Sequence, residues 1–241
     1  MTALPIVPTL PPSWLEEGHA RLADGAALLP GLTGLLGLAG DWESLPPDPW
    51  LRDGGRYRRR RHGCFVLDLD PLRLAAVPHR AHWQSTRYNA LHGGMHRWFE
   101  PLSPGLAGGE ALAALLQGLG ARFAEVRRAP RWFIEVHQFR IDTTDGIGRP
   151  TPEGAHRDGV DFVAIVLVGR HALRGGETRV FPAEGATGGL RFTMTRPGET
   201  LLLDDTRVIH ETTPIQPLEP GVEGRRDTLV ITYRAGSFQG P

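Results

Sequence analysis

The sequence predicts a mainly β protein with some helix: an antiparallel sandwich or barrel, against which an N-terminal helical portion packs. After Pro130, short β-rich runs follow one another with no helix between them, separated by turn sequences such as EGATGG and RPGE. Before Pro130, the clearest helix is residues 110–128, where apolar residues recur at helical spacing. The β-rich runs are RWFIEVHQFRI, DFVAIVLV, ETRVF, LRFTMT, ETLLLDD and DTLVITYR.

Composition excludes several classes of protein. The chain has 241 residues, and its 27 basic residues balance 27 acidic ones, so nothing indicates binding to nucleic acid or to an anionic membrane. Cys64 is the single cysteine, which excludes an internal disulfide and fits a reducing compartment. The first residues lack the pattern of a signal peptide, and the most apolar stretch, 26–39, is too short to span a bilayer. We therefore expect a cytoplasmic protein.

We expect one domain, residues 1–241, built from three consecutive parts. Residues 1–50 form a helical or irregular extension, 56–128 a mixed strand and helix support, and 131–236 the β core. Within the extension, Ser13 followed by Glu16 has the pattern of a capping box, which predicts Ser13 as the N-cap of a helix. The run GRYRRRRHGCFVLDLD (55–70) predicts a strand or a strand pair.

A candidate metal-binding pair lies in TPEGAHRDGVDFVAIVLVGRH (151–171). His156 and Asp158 are two residues apart and precede an apolar run. If a strand starts at this pair, both side chains project from one face, and Arg157 points away. An imidazole nitrogen and a carboxylate oxygen placed in this way can share one small cation.

His210, in LLLDDTRVIHETTPI, is the third candidate ligand. Four β-like runs separate it from the pair, so in a rolled sheet its strand can return beside the first. Two histidines and one carboxylate on one side of a metal form the facial triad typical of non-haem Fe(II) oxygenases. The alternative is a chance HxD among ten histidines, but the pair, the later histidine and a following arginine together favour the metal interpretation.

Other histidines fit a metal site less well. His92 and His96 have the i, i+4 spacing of zinc-binding helices, but two glycines separate them and no glutamate follows His92. We expect His79 and His82 to lie on the surface or in loops.

Arg226 is the candidate anchor for a cosubstrate. In GRRDTLVITYR, Arg226, Thr228, Val230 and Thr232 share one strand face. A guanidinium with a hydroxyl two residues further along can bind a carboxylate through two hydrogen bonds and add a third. Across a barrel from the metal, it would hold the far carboxylate of a 2-oxo diacid. The neighbouring Arg225 is expected to be an exposed strand residue.

Further polar residues are candidates for substrate binding. Arg58 belongs to an arginine run whose alternation puts it on one face with Arg60, and a solvated or salt-bridged strand is the favoured interpretation of that run. Glu153 and Asp161 flank the metal motif and could meet a substrate ammonium group, or could serve only in turns. Asp204 and Asp205 are interpreted as structural residues that accept backbone N–H groups.

The segment from His137 to Tyr233 resembles the 2-oxoglutarate/Fe(II) dioxygenases, and within them the bacterial branch with the free L-isoleucine hydroxylases and related amino-acid dioxygenases. The resemblance implies a double-stranded β-helix (jelly-roll, cupin-like) core. It also implies that His156, Asp158 and His210 bind iron, that Arg226 anchors 2-oxoglutarate, and that Gln138 contacts the cosubstrate. The matching stretches in this segment are PEGAHRDGVDFVAIVLVGRH, GGETRVF, LLLDDTRVIHETTPI and GRRDTLVITYR, and upstream of it RYRRRRHGCF and QSTRYNALHGGMHRWFEPL also resemble that branch.

The predicted function is an Fe(II)- and 2-oxoglutarate-dependent dioxygenase that uses O2 to hydroxylate a small polar molecule, a free L-amino acid, and releases succinate and CO2. Two alternatives stay open: a peptide or protein hydroxylase on the same core, and a non-catalytic cupin-like binding or regulatory protein. The expected partner is a small-molecule substrate, with no nucleic acid or membrane. A homodimer is compatible with the sequence, which does not fix the oligomeric state.

Overall fold

The computed structural model describes residues 10–184 and 188–241. Within them, twelve strands pair antiparallel in three sheets, with seven strands in the order β1-β9-β5-β12-β4-β2-β3, three in the order β10-β7-β8, and the pair β11-β6. The chain is mostly β, with the double-stranded β-helix core that the resemblance implied. The strands are β1 His19–Leu22, β2 Arg58–Leu69, β3 Leu72–Ala76, β4 Arg131–Asp142, β5 Phe162–His171, β6 Leu173–Gly175, β7 Glu177–Pro182, β8 Leu190–Thr193, β9 Thr200–Asp204, β10 Val208–Thr212, β11 Ile215–Pro217 and β12 Arg225–Arg234.

Helices cover one face of the large sheet. They are α1 Ser13–Glu17, α2 Leu32–Leu36, α3 Pro104–Ala107 and α4 Glu110–Val126, with 3₁₀ turns at Gly25–Ala27 and Ala39–Ser44. The helix predicted at 110–128 is confirmed as α4, and its apolar stripe is buried against the sheet. Gly120 permits this close approach, because a Cβ atom there would lie 2.4 Å from Leu67 Cδ2.

The large sheet separates two apolar layers, which explains the composition of its central strand. Alternate residues of β5, such as Val166, face the helices, while residues such as Ile165 face the three-stranded sheet β10-β7-β8. Because both faces are buried, the strand is a continuous apolar run rather than an alternating one. The second apolar layer lies between the seven-stranded and three-stranded sheets, next to the cavity described below.

The N-terminal part differs from the prediction in two ways. Ser13 is the first residue of α1 rather than its N-cap: Pro12 holds the cap position, and no side chain caps this helix. Within the stretch expected to be helical, His19–Leu22 forms β1 and pairs with β9. All three predicted parts of the chain therefore contribute strands to one sheet.

The β-rich runs after Pro130 are confirmed as β4, β5, β7, β8, β9 and β12. The predicted strand at 55–70 is β2, paired with β4 on one side and with β3 on the other. Part of the predicted EGATGG turn and the start of the N-terminal extension lie outside the described residues. Among the helices built from the described residues, none is long and apolar enough to cross a membrane.

Candidate metal centre and the cavity around it

His156 and His210 are brought together by the backbone. The expected strand start at His156 is wrong, since β5 begins at Phe162. His156 instead forms an isolated antiparallel bridge with His210 on β10, with N–H to O distances of 3.0 and 2.9 Å in the two directions. Residues directly opposite each other in such a pair project from the same face, so both imidazoles point to one side.

Asp158 completes the cluster. Its carboxylate oxygens lie 3.8 Å from His156 Nε2 and 3.9 Å from His210 Nε2, and the three candidate ligand atoms all lie within 4.8 Å of one another. Arg157 points away, as expected, and donates to the carbonyl of Asp205. Two imidazoles and one carboxylate that face a common position from one side are a ligand set that fits Fe(II).

Asp205 holds the loop that carries Asp158. Its carboxylate accepts hydrogen bonds from the backbone N–H groups of Asp158, Gly159 and Val160, at 2.9, 2.8 and 3.1 Å. Burial, together with the neighbouring Asp158 carboxylate, raises the pKa of Asp205 above its usual range. Asp205 therefore satisfies backbone donors, as the sequence suggested, and it holds the backbone of the loop that carries Asp158.

The neighbours of the cluster favour metal binding. His156 Nδ1 donates to Gly154 O at 3.0 Å, which leaves Nε2 free for a metal. Gln84 Nε2 donates to Asp158 Oδ1 at 3.0 Å and orients that carboxylate. Burial, with a contribution from His156, holds the pKa of His210 well below its usual range. The His210 ring is therefore neutral at about pH 7, as a ligand must be.

The three candidate ligands line a cavity between the two larger sheets. β12 contributes Arg226, Thr228, Val230 and Thr232 to its wall, all from the face predicted for them. Arg226 is buried, and its Nε atom has no hydrogen-bond partner among the described residues. Its Nη2 atom lies 3.9 Å from the sulfur of Met194.

The charge of Arg226 persists in this environment. Burial, and then the nearby Arg170, lower its pKa to about 10, which leaves the guanidinium charged at neutral pH. A buried charge without a counter-ion is costly, so this position suits an anionic ligand. Arg225, on the opposite face of β12, instead lies 3.2 Å from Glu43.

The placement of Gln138 corrects one prediction. On β4, His137 and Phe139 line the cavity, whereas Gln138 faces away from it, on the side of the strand that carries Ile134 and Val136 into the helix-covered core. Gln138 is fully buried there, and its amide atoms have no partner among the described residues. Its expected contact with the cosubstrate is therefore wrong.

Of the residues predicted to bind substrate, two line the cavity and one does not. Glu153 and Arg58 both line the cavity. Asp161 does not: its carboxylate accepts hydrogen bonds from Arg127 and from the backbone N–H of Ala235, the latter at 2.6 Å. Asp161 thus fastens the C-terminal end of the chain to the loop before β5, and its predicted role in substrate binding is wrong.

Several cavity residues were missed by sequence reasoning. Arg60 shares one face of β2 with Arg58, as the alternation predicted, and that face lines the cavity. The salt bridge expected of the arginine run joins Arg58 Nε to Asp48 Oδ2 at 2.7 Å. His82 lies in an irregular stretch outside the helices and strands, one of the two positions expected for it, but it is buried and lines the cavity. It pairs with Arg97 across an isolated bridge. The segment between them has no periodic pattern that could have revealed this.

Comparison with known proteins agrees with the geometry. The family model described as 2OG-Fe dioxygenase matches residues 39–232. The crystal structure of a bsmA homolog from Methylobium petroleophilum PM1 is 55% identical, with a TM-score of 0.85 over 95% of this chain and 92% of that one. No curated protein matches the chain.

Two more distant structures share the fold alone. IDO from Bacillus thuringiensis is 19% identical, with a TM-score of 0.74 over 93% of this chain and 97% of that one. The Fe(II)/(alpha)ketoglutarate-dependent dioxygenase TqaL is 21% identical, with a TM-score of 0.68 over 94% of this chain and 88% of that one. With a matching family model over most of its length and a candidate His/Asp/His iron site, the chain belongs to the 2OG-Fe dioxygenase family, whose members use Fe(II), 2-oxoglutarate and O2.

Proposed function

We propose that this dioxygenase hydroxylates a free L-amino acid, as in the bacterial amino-acid hydroxylase branch that its sequence resembles. The observation that carries the proposal is the buried guanidinium of Arg226, which faces the same cavity as His156, Asp158 and His210. One cavity thus offers a metal-binding face and an anion-binding position, and a 2-oxo diacid needs both.

In this proposal, His156, Asp158 and His210 hold Fe(II), and Arg226 and Thr228 hold the far carboxylate of 2-oxoglutarate. When bound, iron with 2-oxoglutarate and O2 supplies the oxidising chemistry, and succinate and CO2 are released. The protein positions both molecules and excludes water from the buried wall of β12. The bidentate geometry of a guanidinium selects a carboxylate over a neutral group.

The charges of the remaining cavity wall support a zwitterionic substrate. Arg97 is 2% exposed and donates to Gln84 Oε1 at 2.8 Å, while its Nε atom has no partner among the described residues. Glu153 lines the same cavity, and its Oε2 atom is buried with no hydrogen-bond partner in the described part of the chain. A carboxylate at Arg97 and an ammonium group at Glu153 would match both. Arg58 is the second cation for the carboxylate, with its Nε atom held by Asp48 at 2.7 Å.

A turnover screen tests this function. Purified protein is incubated with Fe(II), ascorbate and 2-oxoglutarate, and each free amino acid is scored by succinate release and by the mass of one added oxygen atom. The matched control for each hit is the same residue with its amine acetylated and its carboxyl amidated. We expect turnover of the free form only. Turnover of the blocked form instead would favour a peptide hydroxylase, and absence of any 2-oxoglutarate turnover would contradict catalysis.

We further propose that the chain acts as one domain in the cytoplasm. The single cysteine, Cys64, is buried, which suits a reducing compartment. Cell fractionation checks the location, and recovery of the protein from an extracytoplasmic fraction would contradict it.

A further inference from the structure

Four buried ionisable side chains form a second cluster beside the cavity. His62 on β2, Glu135 and His137 on β4, and His82 are each at most 6% exposed. His62 and His137 face each other in the β2–β4 register, with their rings stacked 4.7 Å apart. The proposed metal site and the proposed anion site use none of these residues, and burying so many polar groups is costly unless they bond to one another.

The hydrogen bonds of this cluster identify where its protons lie. Arg60 Nη2 is 2.7 Å from His137 Nδ1, and since a guanidinium can only donate, Nδ1 is an acceptor. The rings of Phe99 and Phe139 hold the Arg60 guanidinium in this position, with centroids 3.7 and 4.3 Å away. The proton of a neutral His137 is therefore on Nε2.

Glu135 fixes the other two rings. Its Oε2 atom lies 2.5 Å from His82 Nδ1 and 3.1 Å from His62 Nε2. A carboxylate accepts, so both of these nitrogens carry hydrogen. Burial opposes ionisation of Glu135, but the positive charge that His82 and His62 carry at low pH, and the hydrogen bonds that they donate, bring its pKa well below the usual range. Burial lowers the pKa of His82 to about 4, so this ring is neutral at pH 7.

The distances in this cluster fit a hydrogen-bonded network better than a metal-binding site. The ligand atoms of all four residues lie within 4.8 Å of one another. However, the contacts of Glu135 with His82 and His62 have the lengths of hydrogen bonds. The positive guanidinium of Arg60 also points directly at His137 and would repel a cation.

These bonds determine what His82 can offer to a bound molecule. His82 lines the cavity beside Arg97, and its Nδ1–H is committed to Glu135. Its Nε2 lone pair is therefore a hydrogen-bond acceptor. Arg97 and Arg60 both act on this ring as neighbouring positive charges, which disfavours a cationic donor. The site suits a neutral O–H or N–H group.

We propose that His82, positioned by Glu135, is a specificity-determining residue that accepts a hydrogen bond from a hydroxyl or carboxamide group of the substrate. The proposal rests on the proposed function and narrows it to amino acids whose side chain carries a neutral donor. A buried acceptor left unpaired by an apolar analogue costs on the order of a tenfold to hundredfold loss in kcat/KM.

Pairs of similar shape test this specificity: L-threonine against L-valine, L-asparagine against L-leucine, and L-glutamine against L-methionine. The readout is the ratio of kcat/KM within a pair, which cancels the fraction of active protein. The wild type should prefer the donor-bearing member, and His82→Phe should lose that preference. His82→Gln, which retains an acceptor, should recover part of it. His96→Phe, at an exposed histidine, is the matched control and should keep the wild-type ratio.

Preference for the apolar members, or a ratio unchanged by His82→Phe, would overturn the proposal. The tautomer of His82 is an independent test that needs no substrate. Long-range ¹H–¹⁵N correlation spectra should show a neutral ring protonated at Nδ1, and Glu135→Gln should change this. Protonation at Nε2 would overturn the proposal, as would a bound metal ion lost in Glu135→Gln. By contrast, absence of all iron-dependent 2-oxoglutarate turnover would contradict the proposed function. The role of His82 as an acceptor would then be tested by the NMR measurement of its tautomer alone.

Discussion

His156 and His210 are hydrogen-bonded to each other through their backbones, N–H to O in both directions, although 53 residues lie between them in the sequence. The bridge is the point at which the small sheet returns beside the loop that precedes β5. Because the backbone pairs these two residues, their Cα–Cβ bonds point to one side before any ligand binds. The Asp205 carboxylate likewise fixes the backbone position of Asp158, because it accepts a hydrogen bond from the Asp158 backbone N–H.

Arg226→Ala should weaken 2-oxoglutarate binding without affecting metal binding. Loss of one partner of a buried charge pair costs about 2–5 kcal/mol, so we expect the KM for 2-oxoglutarate to rise on the order of thirtyfold or more. Arg226→Lys should recover part of the loss, because an ammonium lacks the planar guanidinium geometry. Titration of 2-oxoglutarate in a succinate-release assay measures both.

Arg225→Ala is the matched control for this titration. Arg225 lies on the opposite face of β12 and pairs with Glu43, so the KM for 2-oxoglutarate should barely change. If Arg225→Ala is the damaging substitution and Arg226→Ala is silent, the assignment of the anchor is wrong.

Gln84→Leu should weaken metal binding. The Gln84 amide can satisfy its neighbours in one orientation only, with Oε1 accepting from Arg97 and Nε2 donating to Asp158. Loss of the partner that orients a metal-binding carboxylate typically costs about tenfold to a hundredfold in affinity. Calorimetric titration of metal-free protein with Fe(II) under anaerobic conditions measures the change.

The control for this substitution is Gln216→Leu, at an exposed position of β11, which should bind Fe(II) as the wild type does. Equal Fe(II) affinities for the Gln84 and Gln216 variants would show that Asp158 needs no such support.

The stability that the buried neutral His82 contributes to the metal-free protein should fall as the pH drops from about 7 to about 4. The pKa of His82 is about 4 in the folded chain and about 6.5 in an unfolded chain. Between these values the unfolded chain binds the extra proton, so the free energy of unfolding decreases with falling pH. Burial shifts His62 and His137 in the same direction.

Urea denaturation in the presence of a chelator measures this slope. His82→Gln removes one of the titrating groups and should flatten the curve, while His96→Gln should leave it unchanged. A slope that is identical in wild type and His82→Gln would mean that His82 is not buried as a neutral ring.

The sequence predicted the β core and the candidate metal residues because their signals are local or close to periodic. β5 is a long apolar run, and Arg226 and Thr228 stand two residues apart on one strand. Gln138 was assigned to the cavity by similarity, yet a shift of one residue along a strand reverses the face. That shift puts His137 at the cavity in its place.

The cavity wall formed by His82, Gln84 and Arg97 could not be predicted from the sequence, because its contacts are not local. His82 and Arg97 meet through a bridge that closes an irregular stretch of chain, and Gln84 within it reaches Asp158 from a distance of 74 residues. Such contacts depend on tertiary packing, which no periodicity encodes. Asp161 was misassigned because a carboxylate beside a metal motif gives no sign of the Arg127 that binds it.

The central claim is that His156, Asp158 and His210 bind one catalytic metal ion. A crystal structure of the protein grown with a divalent metal, with anomalous scattering used to locate the ion, tests it most directly. We predict one ion bonded to both Nε2 atoms and to the Asp158 carboxylate at about 2.0–2.2 Å. An ion bound at Glu135 and its histidines, or none between His156 and His210, would contradict the account.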